Sequence, residues 1–243
     1  MKILLFGADG MLGSDLVKVL EKDHEIIKSL EQDLDITDSK EISNLVNSVK
    51  PDWVVNAAAY ANVDGCETNS DKAFAVNADG PKNIAEICSR TGSKLIHFST
   101  DYVFDGSKKE IYAEKDIPNP INIYGISKLE GEKNIQSAMQ DYIIIRTQWL
   151  FGERGKNFVD TIYNLLRDSN ELRIVNDQIG SPTYTVDLAN AVSQLMKAEA
   201  PFGIYNICST GYCSWYDCAV EIAKLVNKDE VRILPITTEE LPR

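Results

Sequence analysis

The sequence predicts an α/β protein, with a Rossmann-like, doubly wound parallel sheet followed by a smaller C-terminal lobe. Two observations support this prediction. Strand-like apolar runs alternate with helix-like segments as far as residue 147, which is typical of a parallel sheet with helices on both faces. In addition, a glycine-patterned loop over residues 7–13 joins the first apolar run to the first helix-like segment.

The first part of the chain supplies the first four predicted strands. In order, we predict a strand over 2–7, a helix with apolar residues at 12, 16, 19 and 20, a strand over 24–29, a short strand over 34–36, a helix over 38–49 and a strand over 53–56. The first run is continuously apolar and ends at glycine, as buried parallel strands do. Asp38 is a suitable N-cap for the second helix, and Pro51 ends it.

The alternation continues through the middle of the chain. We predict helices near 71–78 and 81–90, a strand over 94–99, a helix that includes residues 124–133 and a strand over 142–147. After about residue 150 the rhythm loosens, with helices over 157–167, 186–198 and 214–226, strands over 172–175 and 204–207, and a polar turn over 176–183. We therefore divide the chain into residues 1–150 and a smaller lobe, 151–243, that forms the second wall of a cleft.

Composition excludes several classes of protein. The chain has 243 residues and a formal charge of −12, and an acidic surface argues against nucleic-acid binding, which needs clustered Lys and Arg. The apolar run at the N-terminus is too short for a signal peptide, and no stretch reaches the about 20 apolar residues of a membrane span. We therefore expect a cytoplasmic protein without a membrane partner.

The numbers and spacing of cysteine and histidine argue against several kinds of site. The five cysteines form no Cys-x-x-Cys pair, and an odd number does not suit a disulfide framework. With only two histidines in the chain, a His-rich metal site and a Ser-His-Asp hydrolase are both poorly supported. His97 lies inside a strand-like run, so we interpret it as structural, or as a neighbour of the cofactor pocket, and not as catalytic.

The glycine loop has the chemistry of a dinucleotide site. A helix N-terminus offers unpaired amides and a positive dipole end to a pyrophosphate, and glycines let the backbone approach it closely. The spacing here is Gly-x-x-Gly-x-x-Gly, with Gly7, Gly10 and Gly13. No acidic residue directly ends the second strand, so two alternatives stay open: NADPH with Lys28 or Ser29 on the 2′-phosphate, and NADH with Glu31 on the ribose.

A Tyr-x-x-x-Lys pair supplies acid–base chemistry. Tyr124 and Lys128 are four residues apart, so on a helix they share one face. A nearby ammonium is expected to lower the pKa of the tyrosine. Thr100 ends a predicted strand at the edge where open α/β sheets bind ligands, and its hydroxyl can bond the same substrate oxygen.

Several longer segments carry a family resemblance over nearly the whole chain. They are Asp33-Leu-Asp-Ile-Thr-Asp38, Pro51-Asp-Trp-Val-Val-Asn-Ala-Ala-Ala-Tyr60, Ser99-Thr-Asp-Tyr-Val-Phe-Asp-Gly106, Tyr124-Gly-x-Ser-Lys-Leu-x-Gly-Glu132, Arg146-Thr-x-Trp149 and Asn176-Asp-Gln-x-Gly-x-Pro-Thr183. With these segments the chain resembles the extended short-chain dehydrogenases/reductases, and within them the dTDP-4-dehydrorhamnose reductases. The resemblance implies an NAD(P)-binding Rossmann domain over 1–150 and a substrate-binding lobe over 151–243.

The resemblance also implies roles for individual residues. The catalytic residues would be Tyr124 as proton donor, Lys128 as its partner on the nicotinamide ribose, and Thr100. The residues implied at the cofactor are Gly7, Gly10, Met11, Leu12, Gly13, Asp35, Ile36, Ala59, Tyr60, Ala61, Tyr124 and Lys128. Thr100, Asp101 and Trp149 would contact the nucleotide-sugar.

Two departures bear on what the resemblance implies. Relatives usually continue past Leu241-Pro242-Arg243 with an Arg-Pro segment at the nucleotide-sugar, so we expect the C-terminal lobe to be incomplete. Asp15 occupies one position of a magnesium site that some relatives share between subunits, but the sequence supplies no full ligand set, and we predict no metal. A homodimer is compatible with the resemblance.

The predicted function is therefore reduction, with NADPH or NADH, of the C4 keto group of a dTDP-4-dehydro-6-deoxy sugar to dTDP-rhamnose, used for polysaccharide. Two alternatives remain at this point. One is another nucleotide-sugar enzyme of the superfamily, such as an epimerase; a dehydratase is less favoured because Asp101-Tyr102, not an acidic pair, follows Thr100. The other is a non-catalytic NADP-binding regulatory subunit that resembles that of methionine adenosyltransferase.

Overall fold

The computed structural model describes residues 1–240. The strands are β1 Lys2–Phe6, β2 Glu25–Ser29, β3 Trp53–Asn56, β4 Lys94–Thr100, β5 Tyr142–Thr147, β6 Leu150–Phe151, β7 Glu171–Val175, β8 Ile179–Gly180, β9 Thr183–Tyr184, β10 Gly203–Asn206, β11 Cys213–Ser214 and β12 Arg232–Ile236. The α-helices are α1 Met11–Leu20, α2 Ser39–Val49, α3 Val63–Thr68, α4 Ser70–Phe74, α5 Gly80–Thr91, α6 Ile123–Ala138, α7 Phe158–Asp168, α8 Thr185–Lys197 and α9 Trp215–Leu225. The expectation about the chain beyond Leu241-Pro242-Arg243 lies outside the described residues.

Six strands form one parallel sheet in the order β10-β5-β4-β3-β1-β2. The strand order reverses at β1, which has β2 on one side and β3 on the other. In open α/β sheets, ligands bind beyond the carboxyl ends of the strands at such a reversal. The turns that follow β1 and β3 therefore form the predicted binding edge.

Helices cover both faces of this sheet, which confirms the doubly wound fold. On one face, Leu16 of α1 and Leu188 of α8 are buried in the same apolar core. On the other face, Ile42 of α2, Ile84 of α5 and Ile135 of α6 fill a second core. The catalytic helix predicted from the sequence, α6, thus lies on the same face as α2 and α5.

The local signals read from the sequence explain the ends of α2. Asp38 Oδ1 accepts hydrogen bonds from the backbone amides of Lys40 (2.9 Å) and Glu41 (3.0 Å), as an N-cap does. At the other end Lys50 takes a left-handed conformation, with φ of 49°, directly before Pro51. Both predicted boundaries are confirmed.

The short strand predicted over residues 34–36 is wrong. This segment is a loop in which Ile36 is buried against Gly80 and Asp35 Oδ1 accepts from the Thr37 amide (2.8 Å). Three residues in which apolar and polar side chains alternate fit a loop anchored by a buried side chain as well as they fit a strand. The sheet also ends at β2, so no further strand pairs with it there. Thr100 consequently ends the fourth strand, not the fifth, and helix α3 was not predicted from the sequence.

The late part of the chain divides between two cores. Helices α7 and α9 and strands β7 and β12 have an apolar core of their own, which includes Ile162, Leu172 and Ala219. Between them in sequence, α8 packs against α1 and β10 extends the main sheet. The predicted units 1–150 and 151–243 are therefore interleaved over residues 185–206, and the division itself stays a prediction. Over residues 1–240, no helix has both the length and the apolar character needed to cross a membrane.

Candidate active site

At two positions of the loop after β1, the surrounding backbone leaves no room for a side chain. Gly7 has φ of +73°, and a Cβ there would lie 2.7 Å from the Ala58 nitrogen in the turn after β3. A Cβ on Gly13 would collide with the Gly7 carbonyl oxygen. The loop thus closes tightly on itself and on the neighbouring turn, which brings the turns after β1 and β3 together.

Gly10 is different, because the protein around it leaves room for a side chain. A Cβ at Gly10 would meet the Gly7 oxygen at an ordinary 3.4 Å. Gly10 is also the N-cap of α1 without a side-chain cap, so the first-turn amides of Met11, Leu12 and Gly13 are available to an outside acceptor. This arrangement is suited to a phosphate group that approaches the backbone closely.

The helix that carries the predicted acid–base pair is held close to the end of β4. Asn122 caps α6 by accepting from the Gly125 amide (2.7 Å). A Cβ on Gly125 would collide with the Tyr102 carbonyl oxygen, so the helix and the chain after β4 are in backbone contact. This contact places Tyr124 beside Thr100 and Tyr102.

Tyr124 lies in a partly buried position between these two residues. Its ring meets the Tyr102 ring edge to face, with centroids 5.6 Å apart. Burial raises the pKa of Tyr124 well above its usual range, and the negative charge of Asp101 adds to this, whereas the Thr100 hydroxyl lowers the pKa by hydrogen bonding. The lowering by Lys128 that we expected from the sequence is not what governs the tyrosine here, since burial dominates.

Lys128 is almost completely buried and turns toward β4. Its ammonium donates to the Phe98 carbonyl oxygen (2.6 Å) and lies 3.4 Å from His97 Nε2. Burial lowers the pKa of Lys128 to about 8, against the opposing charge of Glu132. The lysine therefore changes its charge close to neutral pH, which a solvated lysine on a helix face does not do.

Asp101 adds a second group with a shifted pKa. Burial raises the pKa of Asp101 to about 6, although hydrogen bonds from Thr100 and nearby amides act in the other direction. The Thr100 hydroxyl donates to Asp101 Oδ1 (3.1 Å). Perturbed groups that gather at the carboxyl edge of a parallel sheet are typical of an active site.

A buried ion pair lies one turn below Lys128 on the same helix. Glu132 accepts from Arg146 Nε (2.9 Å) and Nη2 (2.6 Å) and from the Ser99 hydroxyl (2.5 Å). The three residues belong to α6, β5 and β4 and are all buried. Sequence reasoning assigned these three residues no role. Two signals could have found the pair: a charged residue in a buried strand such as β5 needs a partner of opposite charge, and Glu132 lies one helical turn after Lys128.

Asn77 is a second residue that sequence reasoning missed. It lies in the π-helical turn Ala75–Asp79, and it bonds both backbone groups of Tyr60: Oδ1 accepts from the nitrogen (2.9 Å) and Nδ2 donates to the oxygen (3.1 Å). Nδ2 also donates to the Ser127 hydroxyl (3.1 Å), which donates to the Tyr124 carbonyl oxygen (2.8 Å). Asn77 thus joins the turn after β3 to α6, the helix that carries Tyr124 and Lys128.

The remaining predicted cofactor residues lie along the same edge. Ala59, Tyr60 and Ala61 follow β3, with both alanines exposed, and Asp35 and Ile36 form the loop after β2. Of the alternative ribose contacts, Lys28 pairs with Glu21 (3.6 Å) and Ser29 is buried beneath Gly7. This geometry is compatible with NADPH and with NADH.

Trp149 lies two residues beyond Thr147, which is the register partner of Thr100. Its backbone has φ of 47°, and its indole stacks on that of Trp215 with centroids 3.3 Å apart. A Cβ on Gly180 would collide with the Trp149 ring. The structure thus places Trp149 at the same edge as Thr100 and adds Trp215, at the start of α9, as its neighbour.

The carboxylate of Asp15 already has hydrogen-bond partners within the protein. It accepts from the Thr185 hydroxyl (2.6 Å) and from Lys18 (3.0 Å). Within residues 1–240, no group of three or more acidic, histidine or cysteine side chains is arranged to hold a metal ion.

Comparisons with known proteins agree with this geometry. The family model of the RmlD substrate binding domain matches residues 1–243. A spore coat polysaccharide biosynthesis protein of Bacillus subtilis is 42% identical over 240 residues, which cover 98% of this chain and 84% of the relative.

Two solved structures are similar over almost the whole chain. A dTDP-4-dehydrorhamnose reductase of Clostridium acetobutylicum has a TM-score of 0.96 and 45% identity, covering 100% of this chain and 86% of that one. A dTDP-4-dehydrorhamnose reductase of Bacillus anthracis, solved in complex with NADP, has a TM-score of 0.95 and 39% identity, covering 98% of this chain and 85% of that one.

Proposed function

Because this chain belongs to the family of the RmlD substrate binding domain, we propose that it is an NAD(P)H-dependent oxidoreductase that reduces the C4 keto group of dTDP-4-dehydrorhamnose to give dTDP-L-rhamnose. The observation that carries the proposal is that Tyr124 lies beside Thr100, with buried Lys128 one helical turn away on α6, at the edge that also bears the glycine loop. An epimerase or a regulatory subunit is not favoured by the comparisons.

The residues present fit a dinucleotide. The turn at Gly7 and Gly13 is too tight for side chains, and the first-turn amides of α1 have no side-chain cap. We propose that Gly7, Gly10, Met11, Leu12 and Gly13 hold the pyrophosphate, as helix N-termini do. Asp35 and Ile36 would flank the adenine, and Ala59, Tyr60, Ala61 and Lys128 would border the rest of the cofactor. When bound, the reduced nicotinamide supplies a hydride.

Tyr124 is the proposed proton donor. As the carbonyl carbon gains a hydride, its oxygen becomes an alkoxide, and the Tyr124 O–H bond breaks as the new O–H bond forms. The tyrosinate then regains a proton from water. Because burial keeps the pKa of Tyr124 high, the tyrosine holds its proton throughout the neutral range and is ready to give it to an alkoxide, which is a stronger base.

Thr100, Asp101 and Trp149 are the proposed contacts of the sugar. The Thr100 hydroxyl, already beside Tyr124, can donate to the developing oxyanion. Asp101 lies directly after it, and the Trp149–Trp215 pair offers a flat apolar surface for a sugar ring or a base.

The decisive experiment is an assay with the keto sugar. We expect loss of reduced-nicotinamide absorbance when dTDP-4-dehydrorhamnose, made by coupled upstream enzymes, is added with NADPH or NADH, and the two rates give the cofactor preference. A folded chain that binds NADPH but turns over nothing with either cofactor would support the regulatory interpretation. We further propose a homodimer, which light scattering would detect.

The two kinds of glycine in the loop give a matched prediction. Gly10→Ala should leave the melting temperature near wild type, because the protein has room there, but should weaken NADPH binding about tenfold or more, the scale of one disturbed hydrogen bond to a charged group (about 1.5–3 kcal/mol). Gly13→Ala should lower both, because its Cβ collides with the Gly7 oxygen. Fluorescence titration and thermal melting of both variants separate the two effects, and equal behaviour of the variants would contradict the assignment.

The titration of Lys128 predicts how cofactor binding depends on pH. The pKa of Lys128 is lowered to about 8, so its ammonium is present below that pH and is lost above it. NADPH affinity should therefore fall as the pH rises through about 8. In Lys128→Met the affinity should be weaker at neutral pH and should lose this dependence. A pH response that persists unchanged in Lys128→Met would assign it to another group.

A further inference from the structure

His97 is a buried imidazole that the mechanism above does not use. It lies in the middle of β4, and no part of its surface is exposed. Side chains alternate along a strand, so His97 and Ser99 point to the same face of the sheet. That face is covered by α6, where Lys128 meets His97 and Glu132, one turn later, meets Ser99.

Asn56, the register partner of His97 in β3, determines which nitrogen of the ring carries the hydrogen. Asn56 Oδ1 accepts from the Ala58 backbone amide (3.1 Å), which fixes the orientation of the side-chain amide. Asn56 Nδ2, which can only donate, then lies 3.1 Å from His97 Nδ1. Nδ1 must therefore accept, and the neutral ring carries its hydrogen on Nε2.

The hydrogen on Nε2 points to the amino group of Lys128. The two nitrogens are 3.4 Å apart. An ammonium has no lone pair and cannot accept, whereas a neutral amine can. A hydrogen bond between the two residues therefore exists only when Lys128 is neutral. Burial and the charge of Lys128 both lower the pKa of His97, so the ring stays uncharged and keeps this single hydrogen.

We propose that His97 is a positioning residue for Lys128: locked by Asn56 with its hydrogen on Nε2, it holds the amino group against the Phe98 carbonyl oxygen and favours its neutral form. His97 would thereby set the upper pH limit of cofactor binding. That consequence rests on the proposed function, whereas the position of the hydrogen and the titration of Lys128 do not.

The other groups that face Lys128 account for little of this effect. Glu132, on the same helix, favours the ammonium, but its carboxylate is already paired with Arg146 from β5. Tyr124, one turn earlier, remains uncharged because its pKa is raised, and Asp101 beyond β4 acts on Tyr124. His97 is thus the neighbour that can be tested selectively: its ring hydrogen can be moved from one nitrogen to the other while the charged groups around Lys128 stay in place.

Asn56→Asp is the change that reverses the arrangement. A carboxylate at this position can still accept from the Ala58 amide, but it offers an acceptor to Nδ1 instead of a donor. The ring hydrogen should move to Nδ1, and Nε2 should then accept from the Lys128 ammonium. The pKa of Lys128 should rise by about one unit or more, since both the new acceptor and the nearby negative charge favour the charged form.

The experiment uses NMR of the whole chain, without cofactor or sugar. The chain has only two histidines, so ring-nitrogen spectra of wild type and His24→Gln identify the His97 signals. Spectra of the lysine ε-carbons, with Lys128→Met for assignment, follow the titration of Lys128. Asn134→Asp is the matched control, because it makes the same change on α6, where Asn134 bonds the Ala78 carbonyl oxygen and not His97.

We expect the hydrogen on Nε2 in wild type and in Asn134→Asp, on Nδ1 in Asn56→Asp, and a raised pKa of Lys128 only in Asn56→Asp. A wild-type ring with its hydrogen on Nδ1, or a charged ring at neutral pH, would overturn the proposal even where a variant is unstable. A ring that switches in Asn56→Asp while Lys128 titrates as before would overturn it as well. Because no sugar is used, failure here is separate from failure of the keto-sugar assay.

Discussion

Tyr124→Phe should lower keto-sugar turnover by about 10²-fold or more and leave NADPH affinity near wild type. The expected loss is that of a general acid, which contributes about 10²–10⁴-fold to a rate. Phenylalanine keeps the ring and hence its edge-to-face contact with Tyr102 at 5.6 Å, so stability should change little. The phenolic hydroxyl beside Thr100 is what the variant removes.

Single-turnover kinetics and NADPH titration of this variant test the assignment. Tyr142→Phe is a suitable control, because it removes the same hydroxyl at the start of β5, at the opposite edge of the sheet. Turnover by Tyr124→Phe comparable to that of Tyr142→Phe would remove Tyr124 from the mechanism. Since the pKa of Tyr124 is raised, wild-type turnover should also show no loss on the alkaline side from ionisation of this tyrosine.

Much of the fold could be predicted because its signals are local. The cap at Asp38, the break at Pro51 and the apolar runs of β1 and β5 each act within a few residues, and all are present in the structure. The loop over 34–36 could not be separated from a strand, since Ile36 is buried by Gly80, a residue far away in sequence. The pairing of β10 with β5 in the main sheet also depends on residues far apart in sequence, so residues 203–206 alone do not predict it.

The same distinction holds for the site. Tyr124 and Lys128 are one helical turn apart, so their shared face could be read from spacing, and the glycine loop has a recognisable pattern. The partners that control their chemistry come from other strands. His97 meets Lys128 across 31 residues, and Asn77 meets Ser127 across 50 residues. The effect of Lys128 on the tyrosine was also overestimated, because spacing does not show how far burial raises the pKa of Tyr124.

The buried ion pair beneath the site gives the largest expected effect on stability. Removing one partner leaves the other as an unpaired buried charge, which costs about 3–5 kcal/mol. Arg146→Met should therefore lower the free energy of unfolding by about this amount, and Glu132→Met should do the same. Glu132 accepts three hydrogen bonds, from two nitrogens of Arg146 and from Ser99, and Arg146 donates three, the third to the Glu114 carbonyl oxygen (3.5 Å).

The double variant, Glu132→Met with Arg146→Met, distinguishes a paired charge from simple loss of packing. With no charge left in the core, it should be more stable than either single variant, because desolvation of the pair offsets much of its attraction. Denaturant unfolding measures all three, and Lys133→Met serves as control, since its pair with Glu130 (3.3 Å) is on the exposed side of the same helix and should matter little. If the two single losses simply add in the double variant, Glu132 and Arg146 are not coupled. Coupling would mean that α6, and with it Tyr124 and Lys128, is held in register on β4 and β5 by this pair.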